Sequence, residues 1–212
     1  MYIVGALYNF LYKSWGYRFI NFGIVRMGFF ALDKTIIYFL IFLVFRTLYN
    51  YFVRKKGTTV QKELVYDLFI FYILFVLFFT VFRKQYWPWQ IPIDFHRSLS
   101  DVNWIPFVQT LKMNNGITKV ALIYNFLGNI ILFIPLGMLF YSIGKKPRHK
   151  FLVFLEGFCL SLFIETAQFF THSGQADVDD LIFNSIGILI GLLIYYILFE
   201  RKHKRKKRRK KK

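Results

Sequence analysis

Carboxylates and carboxamides gather in the C-terminal half of this chain at spacings that could do chemistry. In "FLVFLEGFCLSLFIETAQFF" (151–170), Ser161, Glu165 and Gln168 stand at i, i+4 and i+7, so all three share one helical face. In "DVDDLIFNSIGILIG" (177–191), Asp180, Asn184, Gly187 and Gly191 form one stripe, headed by Asp177 and Asp179. In "NFLGNIILFIPLG" (125–137), Asn125 and Asn129 again lie four apart, and Pro135 frees the carbonyl of Ile131. Two carboxylates in unlike surroundings can divide the roles of acid and base, which makes Glu165 and Asp180 a candidate catalytic pair. The same faces could instead line a ligand-binding cleft, with Asn129, Gln168, Asp177 and Asn184 at its wall. Simpler roles compete: a carboxylate in the first turn caps a helix, span amides bond neighbouring helices, and Gly187 and Gly191 are a small-xxx-small packing pair. Pro135 and Gly137 are structural. Oxygen ligands such as these and His172 suit magnesium or calcium, but their spacing matches no known loop, so neither a metal nor a cofactor is expected.

The elements that must position these groups are membrane helices. Hydrophobic residues make up 56% of the 212, aromatics 22%, and the mean hydropathy is +0.42, which excludes an ordinary soluble domain. A span needs roughly 20 mostly apolar residues, and five stretches qualify: 35–53, 64–82, 120–143, 151–170 and 181–199. The runs are continuous rather than alternating, so a closed barrel is excluded and the expected fold is an all-α helical bundle of five spans, six if residues 1–34 add another. Those first residues read as an interfacial or re-entrant segment ahead of a transmembrane domain at 35–200. Arg46 is the evident cation inside a span. The single cysteine, Cys159, excludes an intrachain disulfide and reads as a small core residue.

Charge sets the expected orientation. The net charge is +18, but the tail "RKHKRKKRRKKK" (201–212) holds 11 of the 29 Lys and Arg, so the rest carries 18 − 11 = +7 against 11 acids. A nucleic-acid partner is therefore not required, and the polybasic tail suits anionic lipid on the cytoplasmic side. The loops at 54–62 and 144–150 hold four Lys or Arg each and the turn at 171–180 holds none. The C-terminus is accordingly expected in the cytoplasm and the aspartates outside. The Trp-rich, Pro-broken segment 83–119 falls on the outer side and has the composition of an interfacial piece.

The three polar blocks, in this order and on successive spans, resemble the signature blocks of the VanZ-like family of bacterial membrane proteins, and "NWIPF" (103–107) resembles that family's segment ahead of the first block. The resemblance covers about 103–195. It carries over Asn129, Pro135 and Gly137, then Glu165 and Gln168, then Asp177, Asp180, Asn184 and Gly187. One departure stands out: the family's arginine shortly before the aspartates is absent, and "HSGQADVDD" offers His172 and Gln175 instead. The resemblance implies a multi-pass protein of the bacterial cell membrane, associated with reduced susceptibility to teicoplanin. Implied partners are membrane lipids and a lipid-linked cell-wall precursor or lipoglycopeptide. Two activities fit: engagement of such an amphiphile at the outer surface, or hydrolase or transferase action on it through Glu165 and Asp180.

Overall fold

A computed structural model describes residues 1–16, 22–52, 59–107, 118–143 and 148–201, with backbone only at 22 and 118–125. The polybasic tail after Arg201, most of the basic loop at 54–62, Gly144–Pro147 and the side chain of Asn125 lie outside the described residues. The helices are α1 (Gly5–Trp15), α2 (Phe22–Phe52), α3 (Val60–Thr80), α4 (Thr118–Ser142), α5 (Lys150–Phe170) and α6 (Val178–Tyr195), the last continued by a π turn at Tyr196–Glu200. Among the described residues there is no strand, so the fold is an all-α helical membrane bundle. Four helices among the described residues are long and apolar enough to cross a membrane: Gly23–Phe52, Val60–Thr80, Lys150–Phe170 and Val178–Glu200. The remaining expected span falls on α4, whose stretch Phe126–Ser142 is a shorter apolar helix.

The chain divides into two compact units. The first comprises Met1–Phe95 with Phe170–Gly174, and its frame is the helical pair α2 and α3. Here the first span differs from expectation, because α2 begins at Phe22 rather than near 35. At 31 residues it is about 46 Å long, well beyond the roughly 30 Å of hydrocarbon. The signal that hid this start was the polar pair Asp33–Lys34, which breaks the apolar run in the sequence but is fully buried in the fold. Asp33 accepts the backbone N–H groups of Tyr2 and Ile3 at 2.7 Å and of Val4 at 2.8 Å. It thereby supplies α1 with the anionic cap that its own N-cap, Val4, cannot. The Tyr86 hydroxyl donates to the same carboxylate at 2.6 Å. Lys34 Nζ donates to the carbonyls of Phe82 and, at 3.0 Å, Gln85, and lies over the Phe30 ring. A buried charge is tolerated only when polar partners replace its water: Asp33 has four donors, and Lys34 has two carbonyls and the face of the Phe30 ring. Toward the other end of the pair, Arg46 bridges to Glu63 and Asp67 of α3. These ion pairs tie α2 to α3.

The second unit comprises His96–Phe169 and Gln175 onward. Its helices α4 and α6 approach so closely that only glycine fits at three contact points. A Cβ at Gly137 would stand 2.3 Å from the Ile188 carbonyl, one at Gly187 2.4 Å from that of Ile130, and one at Gly191 2.1 Å from that of Ile134. Helices in lipid gain little from hydrophobic segregation, so backbone approach of this kind supplies the van der Waals contact that holds them. Ile188, fully buried, also meets α5 at Gly157. Cys159 is exposed on α5 rather than buried in the core. Its neighbours Leu155 and Leu162 are exposed too, which marks that side of α5 as the surface turned to lipid. Where α4, α5 and α6 have their remaining ends, Arg148 bonds Glu156 and the Phe140 carbonyl, and the Tyr141 hydroxyl bonds Glu200.

Candidate functional site

The site residues lie in the second unit, around the start of α6. That helix begins where it does because Asp177 is its N-cap: the backbone there is extended, and the carboxylate accepts the N–H of Asp179 at 2.9 Å. The same Asp177 oxygen takes the Asn103 side-chain amide at 2.9 Å. Asn103 is also paired by its backbone, donating to the Ala176 carbonyl at 3.0 Å and accepting from Val178 at 3.1 Å, a single parallel bridge. Asp179 is buried and accepts the backbone N–H of Phe107 at 2.7 Å. To present that N–H, Phe107 sits at φ 64°, a left-handed conformation that costs a non-glycine residue about 1 kcal/mol or more. The segment 103–107 is thus clamped to the acidic turn by two aspartates.

Asp180 points to a different neighbour, accepting from the Asn129 side-chain amide of α4. One turn further along α6, Asn184 donates to Ser161 Oγ on α5 at 2.9 Å, and both side chains are buried. Glu165 and Gln168, also on α5, are 6% and 7% exposed, and Glu165 receives the Asp177 backbone N–H at 3.4 Å. At the end of α5, Arg97 donates to the Phe169 carbonyl at 2.8 Å with its guanidinium over the Phe169 ring, satisfying one of the carbonyls that a helix leaves orphaned.

The expected site residues therefore fall into linked pairs: Asn129 with Asp180, Asn184 with Ser161, and Glu165 with the backbone at Asp177. The capping role expected of a carboxylate at the start of this helix belongs to Asp177. Gly187 and Gly191 are packing contacts. His172 lies in the first unit, where its ring nitrogen meets Asp94 at 3.0 Å. Sequence reasoning missed Asn103, Phe107 and Arg97 as parts of the arrangement. The segment around Asn103 and Phe107 has no helical period, and only the quoted "NWIPF" could have drawn attention to it.

A family model described as VanZ/LLP1 matches residues 69–199, which is more than half of the chain. The chain belongs to the VanZ/LLP1 family. It is also 30% identical over 135 residues to Protein VanZ of Enterococcus faecium, an alignment that covers 62% of this chain and 73% of that protein. No solved structure matches it. The VanZ/LLP1 match takes in α4, α5 and α6 and every site residue named above, and leaves out α1 and α2.

Proposed function

We propose that this VanZ-like protein works in the bacterial cell envelope, engaging a lipid-linked envelope component or a lipoglycopeptide at the outer membrane surface and lowering susceptibility to teicoplanin-type antibiotics. The observation that carries the reading is the meeting of Asn129 with Asp180 and of Asn184 with Ser161, which turns polar groups of three helices inward within one unit. Polar groups placed inside membrane helices are costly, and a ligand site is a reason to keep them. In the orientation that goes with this reading, the acidic turn faces outward and the polybasic tail lies in the cytoplasm.

The test is drug susceptibility and precursor profiling in a deletion strain complemented with Glu165→Gln or Asp180→Asn. Loss of protection with normal protein levels is the expected result, and full protection by both variants would defeat the reading. A second reading, hydrolase or transferase action on a lipid-linked precursor, draws on the same two carboxylates. It requires turnover of that precursor by the purified protein, with Glu165→Gln inactive.

A further inference from the structure

Two buried side-chain oxygens in the second unit have no hydrogen-bond partner among the described residues: one belongs to Glu156, whose other oxygen is held by Arg148 at the far end of α5, and the other to Asn184, beside the site. Asn184 has 2% of its surface exposed, and its amide has two polar ends. Ser161 takes the nitrogen, while the oxygen, Oδ1, is buried with no hydrogen-bond partner among the described residues. A buried carboxamide oxygen that makes no hydrogen bond costs about 1–3 kcal/mol. The cost is not unavoidable, because leucine or alanine at this position would remove it.

The surroundings say what kind of group the oxygen is kept for. Asn184 stands four residues beyond Asp180, hence about 6 Å deeper along α6, on the face that carries Asp180. Across from it α5 presents Ser161, fully buried, with Glu165 one turn away. An oxygen with free lone pairs accepts an O–H or N–H. It repels the oxygen of a phosphate or a carboxylate, which would set acceptor against acceptor.

We infer that Asn184 Oδ1 is the innermost contact of the ligand site and accepts a hydrogen bond from a hydroxyl or amine on the polar head of the bound amphiphile. This rests on the binding reading above and adds the chemical class: the group that reaches α6 is a donor, such as a sugar hydroxyl, and any phosphate on the ligand stays outside. With so little of Asn184 exposed, the donor enters as the Asn129–Asp180 pair, one turn above, parts.

The experiment uses the full chain in phosphatidylcholine nanodiscs, a lipid whose headgroup has no O–H or N–H donor, doped in separate arms with diglucosyldiacylglycerol or with phosphatidylmethanol, an anionic phosphodiester that also lacks one. Native mass spectrometry reads which lipid the protein retains. The expected result is a preference for the glycolipid of about tenfold, the worth of one hydrogen bond to a buried acceptor. Asn184→Leu, which removes the acceptor, should abolish that preference, and Asn184→Asp, which keeps oxygen there, should retain it. Difference infrared spectra supply a measurement independent of folding by the leucine variant: glycolipid should lower the side-chain carbonyl frequency of Asn184 in the wild type, with that band absent from Asn184→Asp. Equal retention of the two lipids, a preference that survives Asn184→Leu in folded protein, or a carbonyl band already lowered by water and unmoved by glycolipid would each overturn the inference. If teicoplanin binds and Asp180→Asn weakens it while Asn184→Leu does not, this inference fails and the binding reading stands. If neither glycolipid nor teicoplanin is retained, the binding reading has failed as well.

Discussion

The three aspartates of "DVDD" have three different neighbours, so they should fail in three different ways. Asp177 holds the backbone N–H of Asp179 and the side-chain amide of Asn103 with one oxygen. Asp177→Ala should therefore cost about 1 kcal/mol for the lost cap, and somewhat more for the freed Asn103, read as a lower unfolding temperature in detergent. Asn103→Ala should lose part of the same increment, and the double variant should lose less than the sum, because the two residues share one bond. At Tyr86 the signal is pH. Burial, and then the hydrogen bond to Asp33 and its charge, raise the phenol above its ordinary 10.0. A raised acid favours the folded state while it stays protonated, so this stabilisation is complete below pH 10.0 and disappears as pH climbs through the raised value. Tyr86→Phe should flatten the alkaline end of the stability profile relative to wild type and cost about 1 kcal/mol at neutral pH. A profile as steep as that of wild type would show that the phenol is not the group that titrates.

At the scale of elements, the helices were legible in the sequence wherever the apolar run was unbroken, and α3, α5 and α6 follow such runs closely. The exception was α2, whose start the sequence concealed behind Asp33 and Lys34, because residue type alone does not reveal that distant backbone groups will satisfy both charges. The shared face of Ser161, Glu165 and Gln168 was legible from helical spacing, whereas the clamp from Asn103 and Phe107 was not, since it depends on contacts more than 70 residues apart in the chain. The glycines of α6 lie between these cases: their spacing advertised a packing stripe, and the structure supplies the partner. At Gly191 a methyl group would have to sit 2.1 Å from the Ile134 carbonyl, against backbone that cannot swing aside as a side chain would. Gly191→Ala and Gly187→Ala should each push α4 and α6 apart and cost on the order of 2 kcal/mol, measurable as a lowered unfolding temperature. Gly128→Ala, where nothing lies within 4 Å of the added Cβ, should be nearly neutral and serves as the control. Equal losses at all three positions would mean that close approach is not what the glycines provide.

For the whole molecule, orientation decides whether the polar site faces the compartment in which an envelope ligand or an antibiotic is met. Within the second unit, the bond between Tyr141 and Glu200 and that between Arg148 and Glu156 mark the helix ends next to the basic stretch 145–150 and the polybasic tail. The Asn103–Asp177 clamp lies toward the opposite helix ends, at the C-terminus of α5 and the N-terminus of α6. Moving Lys and Arg outward across the bilayer is unfavourable, so the tail should stay in the cytoplasm and the clamp should face outward. Intact cells treated with a membrane-impermeant thiol reagent test this directly. Ser100→Cys, at an exposed position just ahead of the clamp, should be labelled without lysis, and Lys206→Cys in the tail only after it. Cys159, the chain's single native thiol, sits within an apolar span and should stay dark in both cases, since a charged, impermeant reagent does not enter hydrocarbon. The reverse pattern of labelling would place the aspartates in the cytoplasm, where a site for an outer-surface ligand has no access to it, and the proposed function would fall however well its residues converge.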